Sequence, residues 1–171
     1  SGTTGSITSK HHVTDTSLYE SSYINGFKNF YGDIKDYAVL ALLPNYLERE
    51  GSSLVYMVND LIKLSSNNHS GFYLNNLDAL AETIHLLETK NQKTLLIGVS
   101  FALLDLIEKH QFQLNNTIVM ETGGMKGRRK ELIRTELHDI LKRGFGISKT
   151  HSEYGMTELL SQAYSKGDGI F

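Results

Sequence analysis

Three short stretches of this chain are almost continuously apolar: Asp36 to Leu43 (DYAVLALL), Thr94 to Ser100 (TLLIGVS) and Asn116 to Glu121 (NTIVME). A run of this length with no alternation of apolar and polar residues describes a strand buried on both faces, and such strands belong to parallel sheets covered by helices on each side. The segments between them supply the helices. Leu54, Met57, Val58, Leu61 and Ile62 fall at helical spacing after Ser52, and Leu77, Leu80, Ala81, Ile84 and Leu87 do so after Asn76, a suitable N-cap. FALLDLIEKH follows the second strand almost at once, a helix is expected to begin near Ser17 or Ser21, and Arg128 to Lys142 also reads as a helix. GFYL is a brief strand candidate, GISKTHSEYG a strand and turn, and MTELLSQAY a last helix. Strands alternating with helices predict an α/β domain, a parallel-rich sheet with helices on both faces. In such sheets ligands gather at the carboxyl ends of the strands.

At 171 residues the chain fits one domain, and neither a linker nor a repeat divides it. Lys and Arg total 17 against 19 Asp and Glu, a net charge of −2, which argues against a dedicated nucleic-acid or membrane-surface protein. No apolar run approaches the roughly 20 residues that span a bilayer. The chain has no cysteine, which excludes disulfides and thiolate chemistry within it and fits a reducing, cytoplasmic setting.

Two glycine-bearing segments follow strands, METGGMKG and HSEYGMTE, and right-handed crossovers would bring both to one edge of the sheet. Within YGMTE, Tyr154 offers an aromatic face for a base and Gly155 allows close approach of the backbone. Thr157, expected on a turn entering a helix, would lie where partial positive charge favours phosphate, and Glu158 would hold a magnesium ion. A capped helix start would use the same threonine and glutamate to satisfy backbone donors. The opening SGTTGSITSK has the composition of an anion-binding loop, with Lys10 as an added point charge, and equally that of a flexible terminus.

SGTTG at Ser1 to Gly5, TGG at Thr122 to Gly124 and YGMTE at Tyr154 to Glu158 together resemble, in order, the core motifs of the adenylate-forming superfamily of acyl-CoA synthetases, luciferases and adenylation domains. SKHHVTD and HSEYGMTEL look most like the LuxE-type acyl-protein synthetases, with the phenylacetate-CoA ligase type as a relative. The resemblance implies that Ser1, Gly2, Thr3, Thr4 and Gly5 embrace the β- and γ-phosphates of ATP. It implies that Gly123 and Gly124 line one face of adenine while Tyr154 covers the other, that Thr157 touches the α-phosphate, and that Glu158 holds Mg²⁺. The implied activity is ATP-dependent formation of an acyl-adenylate from a carboxylic, fatty acid, followed by transfer to a thiol of a protein or carrier; in the relative, CoA is the acceptor. The family's phosphate-loop lysine is replaced by Thr8, with Lys10 following. Its ribose-binding aspartate and C-terminal lid domain have no counterpart in the chain, so residues 1–171 are expected to be part of a larger adenylation domain, inactive alone. A chain without its neighbouring domain would also expose apolar surface and pair with another copy.

Tyr46 sits where the family places the aromatic gate of its acyl pocket, and a buried structural tyrosine is the competing reading. His151 would contact the acyl group or cap a turn. The seven histidines are scattered, and no metal site other than that for Mg²⁺ is expected. The basic run Lys126 to Arg134 would attract a phosphate-bearing carrier or form the solvated face of a helix, paired locally by Glu131 and Glu136. From a different class, the chain would serve as a non-catalytic ATP- or AMP-binding module regulating a partner.

Overall fold

The structure is a computed structural model, and the residues it describes are 12–43, 51–123, 129, 132–156, 159–167 and 169–171. The chain runs α1 (Ser17–Tyr31), a 3-10 turn (Ile34–Asp36), β1 (Ala38–Leu42), α2 (Ser53–Ser65), β2 (Gly71–Phe72), α3 (Leu77–Thr89) and β3 (Thr94–Gly98), then α4 (Ser100–Lys109), β4 (Thr117–Glu121), α5 (Arg134–Phe145), β5 (His151–Met156) and β6 (Ser161–Ser165). The strands form one sheet in the order β2-β1-β3-β4-β5-β6. β1 to β5 are parallel, and β6 returns antiparallel to β5.

All five residues of β1 and of β3 are buried, as unalternating apolar runs require. The expected caps form: Ser52 Oγ accepts from the Val55 N–H and Asn76 Oδ1 from the Ala79 N–H. α1 buries Tyr19, Tyr23 and Phe27, a stripe repeating every four residues. It packs beside α2, where the Tyr23 hydroxyl donates to Asp60 Oδ2 at 2.6 Å, and against Tyr164 of β6, whose ring stands edge-on to Tyr31. α4 and α5 lie together on the other face, so closely that a Cβ on Gly144 would stand 2.5 Å from Ile107 Cδ1. Helices thus flank both faces of a mostly parallel sheet.

Two sequence expectations are corrected. MTELLSQAY is not helical at either end: Ser161–Ser165 is a strand, and β5 runs through Tyr154 and Gly155 to Met156, without a turn at the glycine. Tertiary pairing overrides the local helical pattern, because Tyr164 is buried beneath α1 only if alternate residues of this segment point the same way. The second concerns α5, which begins at Arg134 and not at Arg128. Arg129, Leu132 and Ile133 are not helical, and Ile133 carries the extended backbone of a cap at φ −68°, ψ 150°.

Candidate functional site

Gly123 and Tyr154 both lie just past the paired residues of β4 and β5, toward the carboxyl ends of these strands. Met120 pairs with His151 and Glu121 with Ser152, so β5 starts where β4 is ending and projects beyond it. Gly123 lies two residues past Glu121, and Tyr154 two past Ser152, its register partner. Gly123 has φ +75°, a conformation that disfavours any other residue, and a Cβ built there would meet nothing within 4 Å among the described residues. Tyr154 is 53% exposed, with Phe171 edge-on to its ring at 6.0 Å between centroids. An open glycine backbone and an exposed aromatic ring at one strand-end edge would suit a flat ligand that stacks on the ring.

Behind this edge the sheet buries polar groups. Glu121 ends β4 at 3% exposure, and its Oε2 accepts from the Gly123 N–H at 2.6 Å and from the Ser100 hydroxyl at 3.4 Å. Its Oε1 lies 3.5 Å from Nε2 of His138, a buried residue of α5. Because Ser152 is the register partner of Glu121, the next residue, Glu153, points to the opposite face, toward α1. There Gln162 Nε2 donates to Glu153 Oε1, and a Cβ on Gly155 would crowd both side chains, at 3.0 Å from Gln162 Oε1 and 3.1 Å from Glu153 Oε1. Burial pushes the Glu153 carboxyl up to about 7, with the charge of Glu121 adding to the effect and the hydrogen bond from Gln162 opposing it. Thr122 Oγ1, Ser152 Oγ and Gln162 Oε1 are buried with no hydrogen-bond partner among the described residues.

Of the residues singled out in the sequence, Gly123, Tyr154 and Gly155 come to this one edge. His151 does not join Tyr154, since it faces α1, with Nδ1 3.2 Å from the Tyr31 hydroxyl, and burial followed by Lys166 and Lys149 holds its imidazole down at about 4. It lies within β5, so it caps no turn. Ser1, Gly2, Thr3, Thr4, Gly5, Lys10, Tyr46, Gly124, Thr157 and Glu158 lie outside the described residues. The basic run is also changed. Arg129 leaves the solvated-face picture and forks onto α4, donating from Nε to Asp105 Oδ1 at 3.1 Å and from Nη1 to Glu108 Oε1 at 2.6 Å.

Sequence reasoning missed Glu121, Glu153, Gln162 and His138. Glu121 carried a visible signal, a carboxylate closing an otherwise apolar run, whereas Gln162 and His138 are recognisable only once their elements are paired. Among the described residues no group of three or more His, Asp or Glu is arranged to hold a metal ion, and no helix is long and apolar enough to cross a membrane.

No protein-family model and no curated protein matches the chain. Among solved structures it is similar to a mutant form of coronafacic acid ligase from Pectobacterium brasiliense, at 20% identity and a TM-score of 0.48, over 77% of this chain and 24% of that one. A likeness this distant assigns no activity to the chain.

Proposed function

We propose that this chain is the nucleotide-binding part of an adenylate-forming ligase, an enzyme that activates a carboxylic acid with ATP. The observation that supports the reading most is the parallel pairing of Met120 with His151 and Glu121 with Ser152, from which the chain runs on to Gly123 and to Tyr154 from adjacent strands. Three motifs in the superfamily's order, Ser1 to Gly5, Thr122 to Gly124 and Tyr154 to Glu158, supply the rest of the support. In this reading adenine lies between the glycine turn and the Tyr154 ring. Ser1 to Gly5 and Lys10 hold the β- and γ-phosphates, Thr157 the α-phosphate, and Glu158 a Mg²⁺ ion that offsets charge on the phosphate oxygens.

The acid's carboxylate oxygen attacks the α-phosphorus, and the bond to the β-phosphate oxygen breaks as pyrophosphate leaves. A thiol of a protein or carrier, losing its proton, then attacks the acyl carbon and AMP departs. Both steps call for positioned charge more than for a protein base. SKHHVTD and HSEYGMTEL favour a fatty acid and a protein acceptor, as in acyl-protein synthetases, and Tyr46 would border the acyl group. His151, turned toward α1, is left out of this account.

Acid-dependent exchange of pyrophosphate into ATP, measured on the whole natural protein with aromatic, medium-chain and long-chain acids, tests the reading. Exchange with one acid class is expected. Thr157→Ala or Glu158→Ala should each lower the rate by about 30- to 1000-fold, the size of losing one placed electrostatic contact at about 2–4 kcal/mol. ATP binding without exchange for any acid would overturn it in favour of a regulatory nucleotide-binding module.

A further inference from the structure

We infer that Glu121 is a positioning residue for the nucleotide base: its buried carboxylate presets the backbone of the Gly123 turn. The inference rests on the adenylation reading and concerns a residue that the reading does not use.

β1 and β3 run out of the sheet at their carboxyl ends through Leu42 and Leu43, and through Gly98 and Val99, none of them charged. A strand end in this sheet therefore needs no carboxylate. β4 ends on one nonetheless, 3% exposed, in a position where an ionised group is costly unless it is fully met by donors. Its donors come from the turn and from α4. The Gly123 N–H reaches Oε2 at 2.6 Å, a short charge-assisted hydrogen bond, and the Ser100 hydroxyl reaches the same oxygen at 3.4 Å. Ser100 is the first residue of α4, so this oxygen also sits at a helix N-terminus, where the peptide dipoles favour negative charge. His138 Nε2 of α5 stands 3.5 Å from Oε1 without hydrogen-bonding to it or to any other described residue.

The consequence falls on the turn. Gly123 adopts φ +75°, one of several conformations open to glycine, and a glycine left to itself would sample them all. Tying its N–H to the carboxylate of the residue two before it selects one. Gly123 has open space where a Cβ would stand and follows β4 directly on the edge that β5 extends, so the shape of the turn proposed to meet the base is set before any base arrives. Glu121 itself is buried behind the turn and acts on the base through Gly123.

The test compares the wild-type whole protein with Glu121→Leu, which removes both acceptor oxygens at similar volume, and Glu121→Gln, which keeps one. Hydrogen exchange reads the Gly123 amide, and calorimetry reads the affinities for ATP and GTP. In a cooperatively melting Glu121→Leu, the amide should exchange faster, ATP should bind about tenfold more weakly, and the preference for ATP over GTP should shrink; Glu121→Gln should lie between. Equal weakening toward ATP and GTP, or faster exchange with ATP affinity and preference unchanged, would overturn the inference and leave the adenylation reading standing. A wild-type protein that binds no ATP would overturn both. Should Glu121→Leu fail to fold, Glu121→Gln decides, and an unaltered preference there overturns the proposal.

Discussion

β1 and β3 lie side by side with every residue buried and no charged side chain, while β4 and β5, next in the same sheet, bury Glu121 and Glu153 together with Thr122, Ser152 and their polar neighbours on α5 and β6. The first pair shows what packing alone demands, namely branched and aliphatic side chains, with helices on both faces. The second pair departs from that demand at a cost, since each buried polar group must recover in hydrogen bonds what it loses in hydration. The departure coincides with the edge that presents the glycine turn and Tyr154, which is where the nucleotide is proposed to bind.

If that division is real, substitutions should separate by half of the sheet. The largest effect is expected from Leu96→Ala in β3, a fully buried side chain, at about 2–5 kcal/mol of lost stability. The melting temperature should fall by about 10 °C while the folded variant keeps its affinity for ATP. Unchanged melting, or weakened ATP binding with stability intact, would break the comparison.

Glu153→Gln comes next, and its effect is one of pH. The ordinary carboxyl value of 4.5 is raised to about 7 in the folded chain, chiefly by burial. Below 4.5 the group is protonated whether the chain is folded or not, and its contribution to stability is complete. As pH climbs toward 7 the unfolded chain gives up this proton and the folded chain keeps it, so stability declines until the folded carboxyl ionises. Denaturant midpoints should therefore show the wild type losing about 3 kcal/mol more than Glu153→Gln across that window. Parallel pH profiles would contradict the account of Glu153.

Arg129→Ala should do least. Asp105 and Glu108, its partners on α4, are 41% and 61% exposed, and exposed pairs contribute about 0–1 kcal/mol. A shift beyond that range in thermal melts would mean that this clasp does more than join the basic run to α4.

The apolar half of the sheet was legible in the sequence because burial on both faces writes itself into composition. Val39, Leu40, Leu95, Leu96 and Ile97 admit no other placement, and Ser52 and Asn76 announce the helices they cap. The polar half was legible only in outline. Leu159 and Leu160 beside Ser161 to Tyr164 suit a helix locally, and it is pairing with β5, invisible until the fold is known, that makes a strand of Ser161–Ser165. Gly123 and Tyr154 were readable as motif residues. Glu153 and Gln162, nine positions apart in sequence, meet only across the hairpin.

The central claim is that the edge shared by β4 and β5 takes the adenine of ATP. Irradiating the whole protein with 8-azidoadenosine triphosphate and mapping the labelled peptides tests it most directly. Labelling at Tyr154 or in the turn around Gly123, suppressed by excess ATP, is the predicted result. ATP-suppressible labelling confined to residues remote from that edge would contradict it.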